Sequence, residues 1–199
     1  KIKLPKLESY AWRLWDYWER HLDPDLFIDR SLSGKVKGST VLITGGSSGI
    51  GRAAAIKVAA AGARTIVVAR KQDELDAVKA EIEKAGGTCF TYSADLAEMP
   101  ACDELVKKVL AEHETVDVLI NNAGRSIRRS VALSYDRFHD FERTMGLNYF
   151  GSLRLIMGFL PSMTARRRGH IINISSIGVQ ASSPRFSAYV ASKAALDAF

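Results

Sequence analysis

The stretch Thr-Val-Leu-Ile-Thr-Gly-Gly-Ser-Ser-Gly-Ile-Gly, residues 40–51, runs from a strand-forming pattern into a turn with glycines at 45, 49 and 51. An alanine-rich helical pattern at 52–61 follows directly. In this order of strand, turn and helix, backbone N–H groups and a helix N-terminus face a bound anion. Glycine is needed in such a turn because a Cβ would block the close approach of a pyrophosphate. The stretch therefore predicts a dinucleotide site, although a glycine turn taken alone also fits a purely structural role.

Strand and helix patterns alternate from residue 39 onward. The predicted strands are 40–44, 64–69, 88–92, 116–121 and 170–175. The predicted helices are 49–62, 72–86, 98–113, 134–165 and 188–199. Strands that alternate with helices form a parallel sheet with right-handed crossovers. We therefore predict an α/β fold with a doubly wound, Rossmann-like parallel sheet over residues 39–199.

Residues 1–38 differ from the rest of the chain and are predicted to form an N-terminal helical extension or interdomain linker. Aromatic side chains are dense here, and apolar residues recur at helical spacing: Leu7, Tyr10, Leu14, Tyr17 and Trp18. This pattern predicts an aromatic amphipathic helix before the sheet domain. Its apolar face over 7–28 fits contact with a partner domain or with a membrane surface. Residues 29–39, rich in Ser, Gly and Lys, are predicted to be a linker.

The composition is that of an ordinary globular domain and argues against several classes of protein. No apolar run approaches the roughly 20 residues of a membrane span. Cys89 and Cys102 are too few and too far apart for a metal site or a disulfide framework, which predicts no metal and a cytoplasmic location. The net charge is +6. Without a basic stripe interleaved with aromatic residues, this charge favours phosphorylated small molecules over nucleic acid.

Residues that follow the predicted strands indicate which nucleotide binds. NAD-preferring folds place an acidic residue after the second strand, where it binds the ribose 2′-hydroxyl. Here the sequence is Ala69-Arg70, and a cation at this position favours the 2′-phosphate of NADP(H). Asp95, after the third strand, is a candidate for contact with the adenine ring. Asn-Asn-Ala-Gly at 121–124 follows the fourth strand at the same sheet edge, where ligands bind in such folds.

A candidate for the reacting group lies in the last predicted helix. Of six tyrosines, Tyr189 is the only one with a lysine four residues later, Lys193. Residues four apart share one face of a helix, and an ammonium beside a phenol makes the phenol a stronger acid. Such a phenol can protonate a carbonyl oxygen. Ser175 and Ser176 follow the fifth strand and offer hydroxyls to a developing oxyanion. Asn148 is a polar residue in an apolar helical stretch and can bind a bridging water.

In order and spacing, these motifs resemble the short-chain dehydrogenase/reductase family. The interval of 13 residues from Ser176 to Tyr189 also matches that family and selects Ser176 over Ser175. The resemblance covers residues 40–199 and rests on Thr44-Gly45-x-x-x-Gly49-x-Gly51, Asn121-Asn122-Ala123-Gly124, Asn148, Ser176 and Tyr189-x-x-x-Lys193.

The resemblance implies a role for each of these residues. Tyr189 is the proton donor, and Lys193 binds the nicotinamide ribose and tunes Tyr189. Ser176 orients the carbonyl, and Asn148 holds a proton-relay water. The implied contacts with NADP(H) are Gly45, Ser47, Ser48, Gly49, Ile50, Gly51, Arg70, Asp95, Leu96, Asn122, Ala123, Gly124, Tyr189 and Lys193.

Longer strings of residues resemble bacterial fatty acyl-CoA reductases more narrowly. They are Asn-Asn-Ala-Gly-Arg-Ser-Ile-Arg-Arg-Ser at 121–130, Asp-Arg-Phe-His-Asp-Phe-Glu-Arg-Thr-Met at 136–145 and Arg-Phe-Ser-Ala-Tyr-Val-Ala at 185–191. The aromatic segment 9–28 is similar to the interdomain linker of two-domain members, which makes this chain part of a carboxy-terminal reductase module. The implied substrate is a long-chain acyl-CoA, reduced to the aldehyde; reduction on to the alcohol would need another domain.

Two other functions are compatible with the sequence. The first is NADPH-dependent reduction of a free carbonyl, such as that of a fatty aldehyde. The second is a non-catalytic interaction module on the same scaffold. The intact set of Ser176, Tyr189 and Lys193 argues against the second.

Three further expectations concern the surroundings of the domain. Arg125, Arg128 and Arg129 follow Gly124 and are candidates for contact with CoA phosphates, although a solvated loop would carry the same charges. The resemblance implies a homo-oligomer through the helices at 134–165 and from 188 onward. The family pattern has two further strands and a substrate loop after residue 199, so we expect the polypeptide to continue beyond it.

Overall fold

A computed structural model describes residues 31–199 of the chain. The predicted aromatic helix and its contact surface at 7–28 lie outside these residues. Within them, a five-stranded parallel sheet has helices packed on both faces. The predicted α/β fold with a doubly wound parallel sheet is confirmed.

The strands are β1 (Thr40–Thr44), β2 (Arg64–Ala69), β3 (Thr88–Ser93), β4 (Val118–Asn121) and β5 (His170–Asn173). Their order in the sheet is β3-β2-β1-β4-β5. Val41 of β1 is in register with Thr65 on one side and with Val118 on the other. The strand order reverses direction at β1, and ligands in such sheets bind at this switch point, beyond the carboxyl ends of the strands.

The helices connect these strands and differ in length. They are α1 (Leu32–Val36), α2 (Gly49–Ala60), α3 (Gln72–Lys84), α4 (Met99–His113), α5 (His139–Met145), α6 (Ser152–Ala165), α7 (Gly178–Ala181) and α8 (Ser187–Ala198). A 3₁₀ turn at Val131–Leu133 precedes α5, and a π-helical turn at Gly146–Gly151 joins α5 to α6. No helix among the residues that the structure describes combines the length and the apolarity needed to cross a membrane.

Side chains of β1 alternate between two hydrophobic cores. Leu42 packs in one core with side chains of α4 and α6, and Val41 and Ile43 pack in the other with side chains of α2 and α3. All three side chains are fully buried. A parallel strand that is covered on both faces is expected to be a continuous apolar run, as the Val-Leu-Ile stretch is. The sheet is therefore a rigid platform, and the loops at its carboxyl edge are positioned by it.

A short helix lies where the sequence predicts a linker. The prediction for residues 29–39 is wrong over α1, because Ser31 accepts a hydrogen bond from Gly34 N at 3.0 Å and caps the helix. Val36, at the end of α1, is buried in the core of α2 and α3. The end of α1 thus packs against the core of the sheet domain.

The prediction of one long helix at 134–165 is wrong over its first residues. The observed helix is also interrupted in its middle. Residues 134–138 form tight turns, in which Arg137 N donates to Ser134 O at 3.0 Å. The Ser134 hydroxyl also donates to Ser130 O at 2.9 Å, a local bond that competes with helix formation. The helix therefore begins at His139, and the π-helical turn at Gly146–Gly151 separates α5 from α6. Turns of this kind are frequent at functional sites.

Candidate active site

The glycine turn after β1 leaves no room for side chains at two of its glycines. Gly45 has a φ of +63°, a left-handed conformation that favours glycine. A Cβ on Gly45 would lie 2.9 Å from Ala123 Cα, and a Cβ on Gly51 would collide with the Gly45 carbonyl and the Asn122 side chain. The turn thus lies directly against the loop after β4, and α2 packs closely on both. This is the packing that a nucleotide-binding turn requires.

Five hydrogen bonds tie Thr44 and the glycine turn to the end of β4, one of them donated by the Thr44 hydroxyl to Ile120 O at 3.4 Å. The Thr44 hydroxyl oxygen accepts from Asn122 N at 3.0 Å and from Ala123 N at 2.9 Å. Asn122 Nδ2 donates to Thr44 O at 2.9 Å and to Gly45 O at 3.1 Å. The predicted Asn-Asn-Ala-Gly motif therefore fixes the two loops against each other at the switch point of the sheet.

A cleft of about 250 Å³ opens beside this turn at the carboxyl ends of β1, β2 and β3. The predicted cofactor residues that line it are Gly45, Ser47, Arg70, Asp95, Leu96 and Gly124. Others do not line it and lie in the adjoining loops or in the first turn of α2: Ser48, Gly49, Ile50, Gly51, Asn122 and Ala123. Lining residues that are not among the predicted contacts are Val68, Ala69, Lys71, Glu74, Ala94 and Leu147. Six of these twelve predicted cofactor contacts therefore line one cavity.

Glu74 holds two polar groups of the cleft. Its carboxylate accepts from Lys71 Nζ at 2.7 Å and from Ser47 Oγ at 2.9 Å. These bonds, that of Lys71 first, hold the pKa of Glu74 below its ordinary value. Among residues 31–199, no carboxylate lies within ion-pair distance of Arg70, whose guanidinium is the second cation of the lining. Lys71 and Glu74 could have been identified from the sequence, because opposite charges three residues apart meet at the start of a helix.

Lys193 is a buried cation on α8. Its side chain is only 4% exposed, and Nζ donates to Ile174 O at 2.6 Å. Burial lowers the pKa of Lys193 from its ordinary value. A Cβ on Gly124 would lie 3.5 Å from Nζ, so the ammonium lies against the loop after β4. No carboxylate in the described part of the chain pairs with it, and an ammonium buried in this way is costly and typical of a functional site.

The hydroxyl protons of Ser176 and Tyr189 have no acceptor among the described residues. Ser176 Oγ accepts from Gly178 N at 3.1 Å, at the start of α7, a helix that the sequence did not indicate. An oxygen that accepts this bond keeps its own proton to donate. Tyr189, in the first turn of α8, packs its ring against Phe186 with 6.4 Å between the ring centroids. Its hydroxyl makes no hydrogen bond to any residue of 31–199, so both hydroxyls are available to a substrate.

Asn148 clamps the loop after Gly124 to α8. It lies in the π-helical turn and is fully buried. Its Oδ1 accepts from Arg125 N at 2.7 Å, and its Nδ2 donates to Arg125 O and to Ser192 Oγ, both at 2.9 Å. Both Nδ2 hydrogens are thus used. A relay water can therefore bind the side chain of Asn148 only at the second lone pair of Oδ1. Ser192, which had no predicted role, in turn donates to Tyr189 O at 2.7 Å.

Replacement of Asn148 by alanine is expected to destabilise the fold and to lower the reaction rate. Both polar groups of the Arg125 backbone lose their partner, and an unpaired buried group costs about 1–3 kcal/mol. For a domain of this size we expect Tm to fall by several degrees, together with kcat. Melting curves and initial rates measure both effects. The control is Asn173→Ala, because Asn173 makes a single side-chain bond, to Asn121 at 3.0 Å. Equal losses of Tm in the two variants would contradict the clamp.

The side chains of this site offer proton donors and a positive charge. Ser176 and Tyr189 present hydroxyls, and Lys193 adds a buried ammonium on the helix that carries Tyr189. In the region that the structure describes, no three His, Cys, Asp or Glu side chains are grouped as metal ligands. The chemistry that this arrangement supports is proton donation to an oxygen that gains negative charge.

Comparisons with known proteins give the family of the chain. A family model described as short chain dehydrogenase matches residues 39–199. A fatty acyl-CoA reductase of Acinetobacter baylyi is 60% identical over 164 residues, which cover 82% of this chain and 56% of that protein. A fatty acyl-CoA reductase of Mycobacterium tuberculosis is 49% identical over 180 residues, which cover 89% of this chain and 61% of that protein. The chain thus spans little more than half the length of these curated relatives.

Solved structures agree with the family model. A metagenomic short-chain oxidoreductase in complex with NADP is 35% identical, with a TM-score of 0.78 over 82% of this chain and 73% of that one. The resemblance predicted from the motifs, including the similarity to bacterial fatty acyl-CoA reductases, is confirmed. The chain belongs to the short-chain dehydrogenase family.

Proposed function

We propose that this domain reduces the thioester of a long-chain fatty acyl-CoA to the aldehyde with NADPH as the reductant. The observation that carries the proposal is the free hydroxyl of Tyr189 on the same helix as the buried Lys193, in a chain 60% identical to a fatty acyl-CoA reductase. The hydroxyl and the ammonium supply acid catalysis, and the similarity supplies the substrate class. Reduction of a free carbonyl, the alternative function, would use the same side chains. Rates with hexadecanoyl-CoA and with hexadecanal distinguish the two functions.

The cleft beside the glycine turn fits a phosphorylated dinucleotide. Gly45 and Gly51 let the turn pack directly against the loop after β4, Gly45 lines the cleft, and Arg70 places a cation at the end of β2. The other residues that we propose to hold the cofactor are those of the prediction: Ser47, Ser48, Gly49, Ile50, Asp95, Leu96, Asn122, Ala123, Gly124, Tyr189 and Lys193. NADPH, when bound there, supplies the hydride that reduces the thioester carbon.

The side chains of this domain orient the substrate carbonyl and neutralise the negative charge that develops on its oxygen. Ser176 orients the thioester carbonyl through its hydroxyl proton, and Tyr189 gives its phenolic proton to the oxygen as charge develops there. Lys193 stabilises the negative charge that the phenol acquires. The protonated adduct is a hemithioacetal, whose C–S bond breaks to release the CoA thiol and the aldehyde.

The cysteines argue against an acyl-enzyme route. Such a route needs a thiolate that attacks the thioester. Cys89 and Cys102 are buried, and burial raises the pKa of each thiol to about 11. A thiol with so high a pKa is a poor nucleophile near neutral pH. We therefore propose direct hydride transfer to the thioester. We also propose a cytoplasmic location, with which the two free thiols are compatible.

The proposal is tested by initial rates of the purified full-length protein with NADPH and hexadecanoyl-CoA. Oxidation of NADPH with equal release of CoA thiol is the expected result. Turnover of hexadecanal without turnover of the thioester would move the assignment to a fatty aldehyde reductase. No oxidation of NADPH with either substrate would support a non-catalytic interaction module.

Arg70→Ala is expected to raise the KM for NADPH and to leave the KM for NADH nearly unchanged. A charge-assisted bond to a phosphate has a strength that corresponds to about a tenfold to hundredfold change in affinity. Lys71 compensates little because it is paired with Glu74. Rates measured with the two cofactors give the result, and NADH, which lacks the 2′-phosphate, is the internal control. An equal rise in KM for both cofactors would contradict a contact of Arg70 with the 2′-phosphate.

We also propose a homo-oligomer in which α6 contributes to the interface. Several apolar side chains of α6 and of the turn before it are exposed, namely Phe150, Met157 and Leu160. Exposed apolar residues grouped on one helix are typical of an interaction surface. Sedimentation velocity of the full-length protein measures the oligomeric state, and a monomer would contradict this proposal.

A further inference from the structure

We propose that Arg128 and Arg185 bind the nucleotide phosphates of coenzyme A in a cavity beside the active site. This inference rests on the proposed acyl-CoA reductase function and adds the place where the phosphates bind. The cavity measures about 410 Å³ and is lined by Arg128, Arg129, Ser130, Leu133 and Arg185. Three of these five residues are arginines and none is acidic. Its volume lies in the range of small-molecule sites.

Arg129 has a structural partner and is not part of the proposed pair. Its Nε lies 3.1 Å from Asp140 Oδ2, which Arg137 also contacts at 3.1 Å. Arg137 first, then His139 and the Arg129 guanidinium hold the pKa of Asp140 below its ordinary value, against the opposing effect of burial. The carboxylate thus stays ionised and keeps Arg129 in the wall of the cavity.

Arg128 and Arg185 are the cations that remain for a ligand. Within the described residues, neither forms an ion pair. The Arg128 guanidinium carbon lies 6.0 Å from the centroid of the Phe186 ring, which keeps its side chain at the cavity. The two segments that carry these residues are joined by a backbone bond from Arg129 N to Arg185 O at 2.7 Å. Guanidinium groups present paired N–H donors that match phosphate oxygens, and two of them suit a diphosphate or a sugar phosphate.

Arg125, predicted together with Arg128 and Arg129, does not line the cavity. Its backbone is held by Asn148 instead. The third arginine in the lining is instead Arg185, from the segment before α8. The structure thus replaces one predicted contiguous cluster with a pair of arginines from two loops.

The location of the cavity matches the shape of an acyl-CoA. Phe186 contacts both Arg128 and the ring of Tyr189, so the cavity lies one side chain away from the proton donor. In an acyl-CoA the pantetheine arm separates the phosphates from the thioester, so a phosphate site has to lie off the reacting centre. The cavity shares no lining residue with the cleft beside Arg70, which distinguishes it from the site of the cofactor's own phosphates.

The test compares two thioesters with the same acyl chain on the full-length protein. Hexadecanoyl-CoA carries the phosphates, and the hexadecanoyl thioester of N-acetylcysteamine lacks them. Arg128→Gln, Arg185→Asn and the double variant are measured with both. We expect the double variant to raise the KM for the CoA thioester about tenfold to hundredfold, with kcat and the phosphate-free thioester nearly unchanged. Unchanged turnover of the phosphate-free thioester also shows that the variants are folded.

A matched control accounts for the backbone at Arg185. Arg185 has a φ of +69°, and Arg167, at the opposite edge of the sheet, has a φ of +51°. Asparagine tolerates this left-handed region, so Arg167→Asn imposes the same change of residue where no phosphate is expected. This variant is expected to keep the wild-type KM for hexadecanoyl-CoA. An equal rise of KM in Arg167→Asn would overturn the proposal.

The remaining outcomes separate this proposal from the proposed function. Equal losses with both thioesters, or no loss with either, would overturn the phosphate site. Hexadecanoyl acyl carrier protein is measured as a third substrate, and a loss confined to it would assign the arginines to contact with the carrier protein and overturn the contact with CoA. If wild-type protein turns over neither thioester, calorimetric titration with free CoA decides: binding that the double variant loses supports the site, and absence of wild-type binding overturns it.

Discussion

Tyr189→Phe is expected to lower kcat/KM for hexadecanoyl-CoA by about 100- to 10,000-fold, the range for loss of a general acid. The proton that the phenol gives to the substrate oxygen then has no donor at that position. The ring keeps its packing against Phe186, and the hydroxyl has no hydrogen bond to lose within residues 31–199. Tm is therefore expected to stay close to the wild-type value. Initial rates and melting curves on the same preparations measure both effects.

The control for this prediction is Tyr135→Phe. Tyr135 is 84% exposed in the loop before α5, so removal of its hydroxyl is expected to change neither rate nor Tm. A Tyr189→Phe variant that keeps more than about a tenth of the wild-type kcat/KM would contradict the role of Tyr189 as proton donor.

Lys193→Met is expected to lower kcat/KM by about 100-fold or more, comparable to the loss of one preorganised charge-stabilising donor. Methionine fills a similar volume and removes the positive charge beside the loop after β4. The Ile174 carbonyl loses its donor at 2.6 Å, but the fold no longer buries an ammonium, so the two effects on stability oppose each other. The loss is therefore expected in the rate, with a small change in Tm. The control is Lys57→Met, at an exposed position on α2.

The dependence of stability on pH gives an independent test of the buried charge. Burial places the folded-state pKa of Lys193 below its ordinary value of 10.5. The unfolded chain then holds this proton more tightly than the folded one, so wild-type stability rises with pH from the folded-state pKa up to 10.5. Lys193→Met is expected to lack this rise when urea midpoints are compared across the interval. The same rise in both proteins would show that Lys193 is not the group that titrates.

The architecture could be predicted because its signals are local. The run from Thr40 to Thr44 is rich in β-branched residues and is followed directly by Gly45, and the observed bounds of β1 agree with the prediction. β2 contains the β-branched run from Thr65 to Val68, and its observed bounds also agree with the prediction. The break before α5 could not be predicted in this way. It depends on turns and on the bond from Ser134 to Ser130, which outweigh an apolar pattern that continues into α6.

The site could be predicted only as a set of motifs, and its connections come from the tertiary structure. The spacing of Tyr189 and Lys193 predicts a shared helix face, and both do lie on α8. No local pattern predicts that Asn148 contacts Arg125 and Ser192, because these bonds join residues 23 and 44 positions apart. The contact that places Arg185 beside Arg129 is likewise made between distant segments. Long-range contacts therefore decide which charges remain free for ligands.

The central claim, direct hydride transfer to an acyl-CoA thioester, is tested most directly by isotope transfer. The full-length protein is incubated with hexadecanoyl-CoA and NADPH that carries deuterium at the transferable position, and the products are analysed by mass spectrometry. We predict hexadecanal with one deuterium on its carbonyl carbon, or hexadecanol with that label retained, and one CoA thiol released per product molecule. Recovery of the CoA thioester intact and unlabelled, with deuterium transferred only in a parallel incubation that contains hexadecanal, would contradict the claim.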